Sequence, residues 1–343
     1  MPDDSGETTL TRKDFSSDQE VRWCPGCGDY SVLTAVQLLM PELDVRPEEL
    51  VFVSGIGCSS RFPYYMNTYG LHSIHGRAPA VATGVAVSRP DLSVWVITGD
   101  GDGLSIGGNH LIHALRRNVN LNILLFNNQI YGLTKGQYSP TSEVGKVTKS
   151  SPLGSLDYPF NPLSIAIGAE ATFVARTHDM DRKHMQATFR RAYEHRGAAF
   201  VEIYQNCNVF NDGAFAQILG KEERPQMLID LRHGEPVRFG PDGEHGVVLN
   251  EFGEAHVVDV GTVGEEALLV HDEHRPDPSL AFTLSRLAEQ PNVPTPIGVF
   301  RDVQRPVYEE QLQAQLAAAQ ERSGPGDLHA LVESAYTWDV AAS

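Results

Sequence analysis

The run "LSVWVITGDGDG", residues 92–103, decides the fold. Apolar residues crowd its first half without the polar alternation of a half-exposed strand, and glycines alternate with aspartates at its end. This pattern reads as a strand buried on both faces that breaks into a turn. Working outward, "LSIGGNHLIHALRRN" (104–118) reads as a helix and "LNILLFNNQIYGLT" (121–134) as a second strand with a loop. "RAYEHRGAAFVEIYQNC" (191–207) repeats helix then strand. Upstream, "YSVLTAVQLLM" (30–40) reads as a short helix, "LVFVSGIGCSS" (50–60) as a strand breaking into a glycine turn, and "HGRAPAVATGVAVSRP" (75–90) as a closely packed helix. Strands alternating with helices predict an α/β fold: a mostly parallel sheet covered by helices on both faces. Residues 1–22 lack periodicity and read as an N-terminal arm, 23–215 as the binding domain and 216–343 as a C-terminal extension. The extension is expected to hold a hairpin near 241–246 and amphipathic helices over 279–290 and 307–322.

The turn itself carries chemistry. It places Asp100 and Asp102 beyond the carboxyl end of a strand, where α/β proteins bind ligands. Its glycines, at 99, 101 and 103, have the wrong spacing for a dinucleotide loop. An EF-hand fails as well, because the twelfth position counted from Asp100 is Leu111. A carboxylate beside a diphosphate is repulsive unless a divalent cation lies between them. Mg²⁺ would take one carboxylate, an amide or carbonyl oxygen and phosphate oxygens. Asn127 and Asn128 end the next strand and supply such oxygens. Gly-Asp-Gly followed, one helix and one strand later, by Asn-Asn is a thiamine diphosphate and Mg²⁺ pattern; the competing reading is two solvated turns.

The four cysteines raise a second question. In "RWCPGCGDYS" (22–31), Cys24 and Cys27 stand two residues apart, while Cys58 and Cys207 stand alone in distant loops. A thioredoxin-type pair wants a strand just before it, and here a polar arm precedes. Four thiolates suit zinc, although structural zinc sites usually pair their ligands as two short knuckles. They equally suit a [4Fe–4S] cluster, for which glycine-rich turns offer backbone NH groups. Unrelated buried thiols would account for Cys207 alone but not for Cys24 with Cys27.

With 343 residues, 41% of them hydrophobic, and 31 glycines, the composition is that of a globular protein. A formal net charge of −17 would repel a polyphosphate backbone, so no nucleic acid partner is expected. No apolar run approaches the length of a membrane span and the first twenty residues are polar, so no membrane partner is expected. Four cysteines in so long a chain are no disulfide scaffold, which points to a reducing, cytoplasmic location.

Taken together, "WCPGCG", "GIGCSS", "HGRAPAVATG", "GDGD" and "NNQIYGLTKGQYSPTS" resemble the β subunit of 2-oxoacid:ferredoxin oxidoreductases, most like the two-subunit type that includes 2-oxoglutarate:ferredoxin oxidoreductase. The likeness runs from about Arg22 to Gly213 and recurs more weakly at "PIGVFRDVQRPVYEE". It implies oxidative decarboxylation of a 2-oxoacid on thiamine diphosphate, single-electron transfer to ferredoxin and formation of an acyl-CoA. It further implies an α subunit that supplies the activating glutamate and much of the substrate pocket, in an α2β2 assembly. By the resemblance, Cys24, Cys27, Cys58 and Cys207 match the [4Fe–4S] ligands, and Asp100, Asn128 and the Ile130 carbonyl match the Mg²⁺ ligands. Gly57, Cys58, Ser59, His75, Gly76 and Arg77 match stretches lining the cofactor, as do Tyr131, Gly132, Leu133 and Thr134. Gly99, Gly101 and Asp102 match the diphosphate turn. Arg61 stands where some relatives carry a substrate-holding lysine. His75 reads equally as a polar contact to cofactor or substrate and as a satisfied structural histidine. His72 with His75 lacks a carboxylate partner for zinc; His110 and His113 read as structural, and Tyr64 with Tyr65 as packing. Two rivals stay open: a non-redox thiamine diphosphate decarboxylase or carboligase with structural zinc, and a zinc-stapled interaction protein.

Overall fold

The structure, a computed structural model, describes residues 10–289, 293–334 and 336–341. Its centre is an eight-stranded sheet built from β1 (Leu50–Ser54), β2 (Tyr69–His72), β3 (Ser93–Gly99), β4 (Leu121–Asn127), β5 (Phe173–His178), β6 (Ala198–Tyr204), β7 (Leu228–Leu231) and a late strand, Thr295–Asp302. The order is β2-β1-β3-β4-β6-β5, then the late strand, then β7. The first six strands pair parallel throughout; the late strand runs antiparallel to β5 and parallel to β7.

Alternation is hidden inside the uniformly apolar strands. Val94 and Val96 of β3 face one core with Ile123 and Leu125 of β4. Trp95 and Ile97 face the opposite core with Leu124 and Phe126. A strand with helices on both sides buries both pleat faces, so it needs no polar face. One face is covered by α1 (Asp29–Leu39) and α6 (Arg182–Glu194), the other by α2 (Ala78–Ser88), α4 (Gly108–Arg117) and α5 (Pro162–Gly168), with a short α3 (Asp100–Leu104) starting at the end of β3. Because β1, β3, β4 and β6 are parallel, the loops after Ser54, Gly99, Asn127 and Tyr204 emerge at the same sheet edge.

Two expected boundaries differ from what is found. Residues 1–9 of the expected arm lie outside the described residues. Residues 10–22 are docked: Arg12–Phe15 forms a 3₁₀ turn, Phe15 is fully buried, and Ser16 bridges Met66. One aromatic anchor suffices to hold such a segment where periodicity is absent. The segment after residue 215 is not separate either, since β7 and Thr295–Asp302 complete the main sheet. The expected hairpin is present: β8 (Arg238–Phe239) and β9 (His245–Leu249) pair antiparallel, with β10 (Ala255–Asp259) beside β9. The helix Ser279–Arg286 falls within the first expected span, and Tyr308–Ser323 matches the second but runs one residue past its end.

Candidate functional site

At the carboxyl edge of the sheet lies a cavity of about 190 Å³. It gathers Gly57, Cys58 and Ser59 from the loop after β1, His75, Gly99, Asp100, Gly101 and Asp102 from the turn after β3, and Asn128 with Ile130, Tyr131, Gly132, Leu133 and Thr134 from the loop after β4. Of the residues expected to line the cofactor, Gly76 and Arg77 do not line this cavity. Gly76 N–H instead donates to Asp102 Oδ1 at 2.7 Å, and the Arg77 guanidinium donates to the His75 carbonyl at 3.2 Å. Ile56, absent from the expectation, does line the cavity.

The two aspartates have different situations. Asp102 is saturated by the protein: Oδ1 accepts from Ile56 N at 3.0 Å, Gly76 N at 2.7 Å and His75 Nδ1 at 2.6 Å, while Oδ2 accepts from Thr98 at 2.7 Å. It ties the loops after β1 and β2 to the turn after β3, and its oxygens are already engaged. Asp102 thus lines the cavity with both carboxylate oxygens already engaged by the protein, and it braces the turn that the resemblance assigns to the diphosphate. His75, held through Nδ1, keeps Nε2 available. Asp100 is 2% exposed and has only hydroxyl partners on one oxygen: Oδ2 accepts from Ser139 and from Thr141, the latter at 2.6 Å. Burial pushes its carboxyl up to about 6. A buried carboxylate with no cationic partner among the described residues is the setting a divalent cation fits. Ser139 and Thr141 had no assigned role in the sequence; the only signal was the hydroxyl-rich "YSPTS" following the Asn-Asn loop.

Asn128 contributes an oriented amide. Its Nδ2 donates to Gln205 Oε1 at 2.8 Å, and its Oδ1 accepts from Ile130 N at 3.2 Å. Asn127 points elsewhere, donating to Glu202 at 2.7 Å and accepting from Thr141 at 3.0 Å.

A second cavity of about 240 Å³ brings together all four cysteines. Cys58, Asn128, Gly132 and Leu133 line both cavities, so the two share a wall. A Cβ on Gly132 would lie 3.5 Å from Cys58 Sγ and 3.6 Å from Cys207 Sγ, so both thiols flank that residue. Burial pushes the Cys58 thiol up to about 12 and raises that of Cys27 further. Such thiols are neutral by themselves and ionise only against a cationic centre. The Cys24–Cys27 loop is pinned from the sheet edge: Gly28 N donates to the Asn206 carbonyl at 3.1 Å, and Asp179, just after β5, accepts from Asn206 N at 2.8 Å.

Arg61 lines this second cavity and also a third one of about 490 Å³ that includes Ile56, Gly57, His72 and Leu133. Its guanidinium donates to the Arg22 carbonyl at 3.2 Å; Glu20 pairs with Arg22 instead. His72 is occupied at Nδ1 by Ser54 Oγ at 3.0 Å and is not brought together with His75 at either cavity. His110 and His113 lie on α4, away from all three cavities. Of the tyrosine pair, Tyr65 is buried and Tyr64 is exposed.

Residues 55–203 match the family described as thiamine pyrophosphate enzyme, C-terminal TPP binding domain. The chain is 59% identical over 330 residues to the 2-oxoglutarate oxidoreductase subunit KorB of Mycobacterium tuberculosis, a match covering 96% of this chain and 88% of that protein. It is 45% identical over 219 residues to the beta subunit of 2-oxoacid:ferredoxin oxidoreductase 1 of Aeropyrum pernix, covering 64% and 68% respectively. A solved structure of 2-oxoglutarate:ferredoxin oxidoreductase from Magnetococcus marinus, with 2-oxoglutarate, coenzyme A and succinyl-CoA bound, superposes with a TM-score of 0.72 at 34% identity, covering 95% of this chain and 94% of that one.

Proposed function

The chain belongs to the β subunits of 2-oxoacid:ferredoxin oxidoreductases, and from that premise we propose that, with an α subunit in an α2β2 assembly, it converts 2-oxoglutarate and coenzyme A to succinyl-CoA and CO₂ with electrons delivered to ferredoxin. The observation that carries the reading is the shared wall. Four cysteines from three remote segments converge on one cavity, and that cavity abuts the one holding Asp100 and Asn128.

Asp100, Asn128 Oδ1 and the Ile130 carbonyl would hold Mg²⁺, with Ser139 and Thr141 fixing the Asp100 carboxylate. Gly57, Ser59, Gly99, Gly101 and Tyr131 to Thr134 would line the cofactor, and His75 would offer Nε2 toward it. Thiamine diphosphate, when bound, supplies the electron sink for loss of CO₂ from the 2-oxoacid. Cys24, Cys27, Cys58 and Cys207 would hold a [4Fe–4S] cluster. Structural zinc sites usually pair their ligands as two short knuckles, whereas Cys58 and Cys207 come singly from remote loops, which supports the cluster over a zinc ion. Arg61 would orient a substrate carboxylate from the third cavity. A cytoplasmic location accords with the free thiols; no helix among the described residues is long and apolar enough to cross a membrane.

The test is anaerobic co-purification with the α subunit, followed by iron and sulfide analysis and an assay of ferredoxin reduction dependent on both 2-oxoglutarate and coenzyme A. Iron-free protein with full activity would sink the redox reading.

A further inference from the structure

Gln205 follows β6 and is fully buried, and its backbone N–H donates to the Asn127 carbonyl at 3.0 Å, which locks it beside the end of β4. Its side chain joins Asn128, which lines both cavities, to Cys27, which lines the second. Nε2 donates to Cys27 Sγ at 3.3 Å and to the Asn206 carbonyl at 2.6 Å, while Oε1 accepts from Asn128 Nδ2 at 2.8 Å. Chemistry dictates the direction of this chain of amides. A backbone carbonyl can only accept, and a ligating cysteine sulfur accepts, so the Gln205 NH₂ must face them. Oε1 then faces Asn128, which must present its own NH₂ to Gln205. The Asn128 carbonyl oxygen, which accepts from Ile130 N at 3.2 Å, is thereby turned away from Gln205 and keeps a lone pair to offer.

We infer that Gln205 is a positioning residue that serves both cofactor sites: it turns the Asn128 oxygen toward the metal and donates a hydrogen bond to the Cys27 sulfur. The inference rests on the cofactor assignments of the preceding section. A hydrogen bond to a cluster sulfur favours the reduced, more negative state and raises the reduction potential. An outer residue that orients a metal ligand sets metal affinity, with losses of roughly 10- to 100-fold when it is removed.

Two variants separate the roles. Gln205→Met keeps the volume and removes both the donor and the acceptor. Gln205→Glu keeps an oxygen for Asn128 and replaces the donor toward Cys27 by a carboxylate. The readouts, made on the complex with its α subunit, are an EPR-monitored redox titration and the Mg²⁺ concentration that half-saturates thiamine diphosphate binding. Gln205→Met is expected to show a more negative potential together with a roughly 10- to 100-fold higher Mg²⁺ requirement. Gln205→Glu is expected to show the more negative potential with a Mg²⁺ requirement close to that of the parent. Variants that retain iron yet leave the potential unchanged overturn the inference. So does an unchanged Mg²⁺ requirement in Gln205→Met. Folded variants that cannot be loaded with iron would assign Gln205 a merely structural role and overturn it too. If the parent complex itself holds no iron, the underlying cofactor reading fails, and that is visible before any variant is made.

Discussion

At the scale of single residues, the site is set by which polar atoms the protein has already used. The Asp102 oxygens are engaged, whereas Asp100 has hydroxyl partners on one oxygen and no cationic side chain beside it among the described residues. Asp100→Ala is therefore expected to raise the Mg²⁺ needed for thiamine diphosphate binding by more than about 100-fold, beyond the range for outer residues. Calorimetric titration at several Mg²⁺ concentrations checks this, and parent-like binding would remove Asp100 from the metal site. Arg61 donates to a backbone carbonyl and is in no ion pair among the described residues, which leaves guanidinium donors for a carboxylate ligand. Arg61→Ala is expected to lower kcat/KM for 2-oxoglutarate by roughly ten- to a hundredfold, mainly through KM, with iron content retained. Arg61→Lys, which keeps the charge but not the paired geometry, should fall between. Loss of iron with an unchanged KM would instead make Arg61 a support of the Cys58 loop. Gly101 marks a third limit: a Cβ there would lie 2.2 Å from Tyr131 Cε1, and the Tyr131 hydroxyl donates to the Gly101 carbonyl at 3.0 Å.

At the scale of elements, strand ends do the positioning. The ends of β5 and β6 carry Asp179 and Gln205, which hold the cysteine loop against the sheet, and His178 precedes Asp179 at the end of β5. His178 is 1% exposed, its Nδ1 accepts from Met180 N at 3.3 Å, and burial pushes its pKa down to about 4. A histidine depressed in the folded state stabilises fully above its unfolded pKa of about 6.5 and loses that contribution as pH falls toward about 4. Between about 6.5 and about 4, at 1.36 kcal/mol per pH unit, the loss is at most roughly 3.4 kcal/mol. Asp29 and Asp100, pushed up to about 7 and about 6 by burial, act in the opposite sense, so the comparison needs a variant. Denaturant titrations of parent and His178→Gln between pH 4 and about 6.5 are expected to converge as pH falls. Parallel curves would mean that His178 does not titrate on unfolding.

At the scale of the whole molecule, the chain closes its sheet late. Thr295–Asp302 covers the edge of β5, buries Phe300 in one core and Val299 in the other, and buries Ile297 as well. A chain truncated after residue 215 would expose that edge together with the apolar face beneath it. It is expected to aggregate or to lose cooperative unfolding in circular dichroism, and a monodisperse, folded truncation would contradict this. The cysteines make the same point across long sequence distances. Cys24, Cys58 and Cys207 meet only when α1, β1 and β6 are assembled, so each single Cys→Ala change is expected to abolish the visible spectrum of the cluster or leave an unstable three-iron form. Four variants with normal spectra would retire the assignment.

The fold class was legible along the chain because apolar runs and helical periodicity are local, and both survive in a strand buried on two faces. The Gly-Asp-Gly turn and the Asn-Asn end were legible for the same reason: each lies next to its own strand. Other features were not, because they depend on contacts between distant segments. Nothing local distinguishes Asp100 from Asp102; their roles differ because Ile56, Gly76 and His75 reach one carboxylate while Ser139 and Thr141 reach the other. A strand at 295–302 joins the sheet through an edge that β5 leaves open, which no window around residue 295 can reveal. Gln205, two residues from a cysteine in sequence, acquires its role from Asn128 and Cys27 on other loops, because parallel strands deliver their carboxyl ends to one edge.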